Sequence, residues 1–130
     1  MTGRGYRDLK VYTLAYELAM EVFEVSKAFP RDEKFSLTDQ IRRSSRNVAA
    51  DIAESYRKRQ YPNLFVMRLA DSNGEASETE VWLDFAHDCG YLATARHRNL
   101  MDRYAEVGRM LAGMINDPTR FIPSGRSVAR

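Results

Sequence analysis

The chain has a single cysteine, Cys89, so it can form no intrachain disulfide. That suits a reducing compartment. No run approaches the ~20 apolar residues of a membrane span. The opening MTGRGYRDLK is polar and has no apolar signal core. A cytoplasmic protein with no membrane partner is the expectation. Neither sign of charge dominates, since 20 Lys and Arg face 18 Asp and Glu for a net +2. The total therefore gives little support to a polyanion partner, although a local patch can act where the sum does not. Prolines number only four and glycines seven, and several stand where helices should start or stop. No strand pattern competes. The 130 residues suffice for one domain with its own core.

What is present is helical periodicity. The stretch Ser36–Arg59 reads as one long helix. Ser36 and Asp39 have the spacing of an approximate capping box. Leu37, Ile41, Ser45, Val48, Ile52 and Tyr56 recur at steps of three and four and so share one face. Small Ser44, Ala49 and Ala53 flank that stripe and would let a neighbouring backbone come close.

Around it the chain divides readily. Residues 1–6 form a flexible leader. A first helix, about Asp8 to Ala28, carries two adjoining apolar stripes, through Tyr12, Tyr16 and Ala19 and through Leu14, Leu18 and Val22. An arc that broad exceeds what a surface helix needs and suggests a second set of neighbours across a subunit boundary. Phe29-Pro30 ends it, and a short linker predicts an antiparallel second helix. Lys58 and Arg59 suit a helix C-terminus, and Pro62 suits the next first turn.

The third helix runs to Cys89. Phe65, Leu69, Ser72, Ala76, Thr79, Leu83 and Ala86 alternate steps of four and three, as in a bundle seam. Gly74 lies within it at a cost of roughly 1 kcal/mol against alanine, for which close helix approach is the expected compensation. Its outer surface is acidic, and Gly90 stops it. The fourth helix, about Thr94 to Asn116, ends at Asp117-Pro118. The reading is an all-α, up-down-up-down antiparallel four-helix bundle over 1–117 with a flexible tail over 118–130, where Phe121 and Ile122 are candidates to dock on a neighbour.

No catalytic constellation stands out. Arg42, Arg43, Arg46, Arg57, Lys58 and Arg59 make the second helix basic, and guanidinium groups pair bidentately with phosphate. They are the candidate nucleic-acid-binding residues. The plainer reading, favoured by the near balance of charge, pairs them with the acidic third helix, within or between subunits. Glu54, Glu78 and Glu80 on facing helices raise a metal-dependent bundle enzyme. Di-iron bundles need two Glu-x-x-His motifs, however, and Asp84-Phe-Ala-His87 is the nearest approach. Hydrogen bonds from Arg42 or Arg43, or from a neighbouring backbone, are the simpler use of these glutamates. Neither catalysis nor a cofactor is expected. Cys89 reads as a small buried hydrophobe, His97 as a solvated histidine at a helix start, and Trp82 as an interface or core anchor.

From about Tyr6 to Ile115 the chain resembles the bacterial four-helix-bundle family often called the intervening-sequence-encoded protein family, whose first known members were encoded in insertions within large-subunit ribosomal RNA genes. The resemblance rests on LKVYTLAYELA with Phe29-Pro30 and Glu33; on Phe35, Leu37, Gln40, Ile41, Arg42 and Arg43, then Val48, Ile52, Ala53 and Glu54; and on Gly74, Glu78 and Glu80, then Ala86 and Gly90-Tyr91-Leu92. Gln40, Glu54, Gly74, Glu78 and Glu80 are structural family-motif positions. The chain departs from the pattern at Asp51, where asparagine is usual, at Ser55 (glycine), at Asn47 (serine) and at Glu75 (often serine). The resemblance implies a homopentameric ring. It extends in fold to accessory proteins of diversity-generating retroelements, which bind a reverse transcriptase and nucleic acid through a basic ring surface. Three functions follow as expectations: an oligomeric scaffold that binds RNA or DNA, a ring that binds only protein partners, and a metal-dependent bundle enzyme.

Overall fold

The structure is a computed structural model that describes residues 5–123. The leader residues 1–4 and the tail residues 124–130 of the expected flexible segments lie outside the described residues. Four helices form: α1 (Lys10–Ser26), α2 (Asp39–Arg57), α3 (Pro62–Asp88) and α4 (Thr94–Asn116). Among the described residues there is no strand.

Cross-helix pairs give the direction of each helix. Ser26, at the end of α1, meets Arg42, near the start of α2. Val48 meets Ser72 while Glu54 meets Arg68 across α2 and α3. Asp84 meets His97 across α3 and α4. Each helix therefore runs antiparallel to the one before it, and α4 closes the bundle against α1 through Glu21 and Arg103. This is the up-down-up-down bundle that the periodicity predicts.

The core is the overlap of the four apolar stripes. Leu18, Ile41, Ile52, Phe65, Leu69 and Leu83 are fully buried, and Leu100, Tyr104 and Leu111 close it from α4. Between α2 and α3 the filling is small and polar. Ser44 Oγ lies 2.8 Å from Thr79 Oγ1, and Ser72 Oγ donates to the Val48 carbonyl at 2.8 Å. Short hydroxyl side chains let these backbones approach, and each hydroxyl finds a partner, so burying it carries little penalty.

Several local expectations change. Ser36 does not cap α2. It lies inside a wide π turn, Lys34–Thr38, that runs straight into the helix, so the first turn has no free N–H groups to cap. Its hydroxyl donates instead to Glu33 Oε1 at 2.6 Å. Tyr91 OH donates to the other oxygen of the same carboxylate at 2.8 Å, which joins the α1–α2 and α3–α4 connections.

Gly74 makes no close helix contact within the chain. Nothing lies within 4 Å of where its Cβ would stand, because it points away from the Ser72 and Ala76 face. Cys89 is exposed rather than buried, at the C-cap of α3. There Gly90, at φ 84°, lets Tyr91 N–H reach the Ala86 carbonyl and Gly90 N–H reach that of His87, a Schellman stop. His97 is half-buried, stacked on His87 at 4.5 Å and bonded to Asp84 at 2.8 Å. At the other end Pro118–Arg120 forms a 3-10 turn, and Phe121 packs on Phe65 of the same chain.

Candidate nucleic-acid interface

Helix α2 supplies the basic residues in two groups, because its apolar face interrupts them. Arg42, Arg43 and Arg46 stand in its first half. Arg42 is tied down: its Nε donates to Ser26 Oγ at 2.7 Å, and its guanidinium lies 4.7 Å from the Phe23 ring centroid. Arg43 donates to Gln40 Oε1 at 3.2 Å, which gives that family-motif glutamine a local use. Arg46 also lies over Phe23, at 5.7 Å.

The second group, Arg57, Lys58 and Arg59, closes the other end of α2. A short 3-10 turn, Gly5–Asp8, folds back onto it. Gly5 takes a φ of 69°, and the Tyr56 ring lies 3.9 Å from where its Cβ would be. This turn places Tyr6 and Arg7 beside Arg57. A cleft of about 490 Å³ opens there, with Arg7, Arg57 and Arg59 in its walls and no carboxylate among the described residues that line it. Each guanidinium has a tyrosine ring to stack on. Arg7 lies 4.6 Å and Arg57 5.7 Å from Tyr6, and Arg59 lies 3.7 Å from Tyr56. Stacking steadies the planar groups while leaving N–H edges for an acceptor. The α2 C-terminus contributes only about half a negative charge, and Asp8 in the same turn one more, against four full positive charges.

Within one chain the six basic residues do not pair with the acids of α3. Among the described residues none of them has a carboxylate within ion-pair distance. The one ion pair between α2 and α3 among those residues runs the other way, from Arg68 on α3 to Glu54 on α2 at 3.0 Å. The physical reason is register. Four acids of α3 are committed elsewhere, Asp71 to Arg68, Glu78 to Trp82 Nε1 and Asp88 to His87 within α3, and Asp84 to His97 of α4. Glu75, which does reach α2, accepts from Asn47 at 3.4 Å.

Glu54, Glu78 and Glu80 are not brought together, and none accepts from Arg42 or Arg43 as expected. Glu54 takes Arg68 and Glu78 takes Trp82. Burial, then the neighbouring Asp84, pushes the Glu80 carboxyl above its usual range. Among the described residues no three His, Cys, Asp or Glu side chains converge on one point.

Asp51, one of the departures from the family pattern, lies close to Glu75, another. Partial burial raises the Asp51 carboxyl, and Glu75 and Asp71 raise it further. Arg7 and Tyr6 are the site residues that sequence reasoning passes over. Both fall in or beside the apparent leader, and only their charge and aromaticity signal them.

The model of the 23S rRNA-intervening sequence protein family matches residues 7–113. Among solved structures, the chain is similar to a protein with unknown function from the S23 ribosomal protein family of Bacteroides thetaiotaomicron VPI-5482. The two share 25% sequence identity with a TM-score of 0.74, over 81% of this chain and 97% of the other. No curated protein matches the sequence. No helix among the described residues is long and apolar enough to cross a membrane.

Proposed function

This chain belongs to the 23S rRNA-intervening sequence protein family, and from that premise we propose that it works by interaction and not by catalysis, as a self-associating bundle that binds nucleic acid at the Arg7, Arg57 and Arg59 cleft. One observation carries the reading. The guanidinium groups of Arg7, Arg57 and Arg59 lie over aromatic rings, yet have no carboxylate partner among the described residues. Guanidinium groups held in this way present charge and hydrogen-bond donors to phosphate oxygens, and their flat faces accept an unstacked base. The cleft therefore suits a single strand better than a duplex. The family description names 23S rRNA, which makes RNA the first polyanion to test.

Self-association has separate support. Tyr16 and Met20 on α1, and Met67 and Phe85 on α3, each expose about half of their surface, and grouped exposed apolar side chains mark interaction faces. A closed ring, pentameric as the family resemblance implies, would repeat the basic cleft around its axis. Repetition converts a weak single site into useful avidity.

Fluorescence anisotropy with labelled single-stranded RNA across a salt series tests the function. Binding should weaken as salt rises, with a log–log slope of about −0.7 for each phosphate contacted. An absence of binding even at low ionic strength overturns the nucleic-acid role.

A further inference from the structure

Helix α3 is apolar on two opposite faces. One face is the core seam. On the other, Leu64, Met67, Gly74, Val81 and Phe85 alternate steps of three and four, with Asp71 and Glu78 completing the register. The four large side chains of this outer row are 38–54% exposed. Alternation of three and four keeps a row aimed at one partner along a helix. Gly74 sits at the centre of the row with open space around it. Its roughly 1 kcal/mol helix penalty has no compensation inside the chain, whereas a second backbone passing over that point would use the missing side chain.

A second unfilled face lies between α1 and α2. There Ala49, Ala50 and Ala53 line a groove of about 530 Å³ beside Tyr16 and Met20. Arg46, Arg57 and Glu54 stand on its rim; the Glu54 carboxylate is taken by Arg68 at 3.0 Å, whereas neither arginine has a carboxylate partner among the described residues. The groove is concave, apolar and edged with positive charge. The outer row of α3 is convex, apolar and punctuated by carboxylates.

We infer that the α1–α2 groove of one copy receives the outer row of α3 from the next copy. This inference rests on the self-association proposed above. Packing the row against its own counterpart would set Asp71 and Glu78 beside their copies, and like charges oppose that arrangement. Packing it into the groove brings those carboxylates toward Arg46, while Arg57 also lines the cleft at the end of α2. The two faces belong to different helices, so the contact is head-to-tail. Each added copy leaves one groove and one row open, and the series ends when a ring closes.

Two exposed-site variants test the pairing. Ala50→Trp fills the groove and leaves the row intact. The double variant Val81→Asp, Phe85→Asp spoils the row and leaves the groove intact. Both change solvent-facing positions, and far-UV circular dichroism checks that each folds. If either does not, Met20→Lys and Met67→Asp replace them. By light scattering the wild-type protein should weigh several times the 15.0 kDa chain, and each variant alone should weigh one chain. An equimolar mixture of the two should weigh two chains, because one good groove meets one good row and nothing can follow. A groove variant that still assembles, or a mixture that stays at one chain mass while the wild type associates, overturns the pairing but leaves self-association standing. A wild-type protein that weighs one chain overturns self-association itself.

Discussion

Arg42 donates from Nε to Ser26 Oγ at 2.7 Å and lays its guanidinium over Phe23 at 4.7 Å. Both contacts cross from α2 to α1, so this arginine fastens two helices. Arg42→Ala should therefore lower stability by about 1–2 kcal/mol, the sum of a hydrogen bond to a charged donor and a cation–π contact less what solvent returns. Chemical denaturation measures the loss. RNA affinity should hardly change.

Arg57 and Arg7 should behave in the opposite way. Their ring contacts are with Tyr6, at the rim of the bundle. Replacing both with alanine should cost little stability and should weaken single-stranded RNA binding. The salt slope should become shallower by about 0.7 for each phosphate that is no longer neutralised. Paired melting curves and anisotropy titrations separate the two arginine groups. A variant with unchanged affinity and slope would place the site elsewhere.

Two carboxylates should give opposite pH signatures. Asp51 has its folded pKa raised, chiefly by burial and then by Glu75 and Asp71. The folded state then holds its proton more tightly than the unfolded state, so stability falls as pH rises through that group's titration. Asp51→Asn, which restores the usual family residue, should raise the melting temperature at neutral pH. The gain should vanish below the ordinary aspartate pKa of about 4. Glu33 is the reverse case. Hydrogen bonds from Ser36 and then Tyr91 lower its pKa, so its contribution is present at neutral pH and fades as acid protonates the carboxylate. Glu33→Gln should lower the melting temperature at neutral pH and make no difference in strong acid. The same bond pushes the Tyr91 hydroxyl up to about 12, so Tyr91 stays protonated throughout both experiments.

The hydroxyl pair in the α2–α3 seam should be strongly coupled. Ser44 Oγ and Thr79 Oγ1 are buried 2.8 Å apart, and Thr79 also donates to the Glu75 carbonyl at 2.9 Å. Thr79→Val leaves the Ser44 hydroxyl only its longer, 3.4 Å bond to the Ile41 carbonyl and should cost about 1 kcal/mol. Adding Ser44→Ala to it should cost less than the two single changes summed. A double-mutant cycle reads the difference directly.

The bundle is legible in the sequence because its information is periodic. Ile41, Val48 and Ile52 in α2, and Phe65, Leu69 and Leu83 in α3, fall on the predicted faces and are fully buried. Boundaries are clear where one residue type dictates geometry: Pro62 opens α3, and Gly90 stops it in the left-handed conformation. The start of α2 is misleading because Ser36 and Asp39 have capping spacing in any helix start, and nothing local reveals a π turn continuous with the helix. Gly74 suggests the core because Ser72 and Ala76 flank it. A two-residue step turns it to the far side, beside an outer row that the periodicity already contains. Side-chain pairing is the least legible level. The arginines of α2 and the acids of α3 look complementary in composition, yet Asp71, Glu78, Asp84 and Asp88 each find a closer donor. Arg7 joins the site only because a glycine turn folds the chain back upon α2.

The Glu33 carboxylate has a wider consequence. By accepting from both Ser36 and Tyr91 it buckles together the two connections at one mouth of the barrel. The other mouth is closed by rings, with Tyr6 edge-on to Tyr12 and Phe121 against Phe65. Acid loosens the buckle but leaves stacked carbon untouched. Relative to its intrinsic rate, amide exchange should therefore quicken around residues 31–38 and 90–93 first once the pH falls below the ordinary glutamate range, so that the molecule opens from a chosen end.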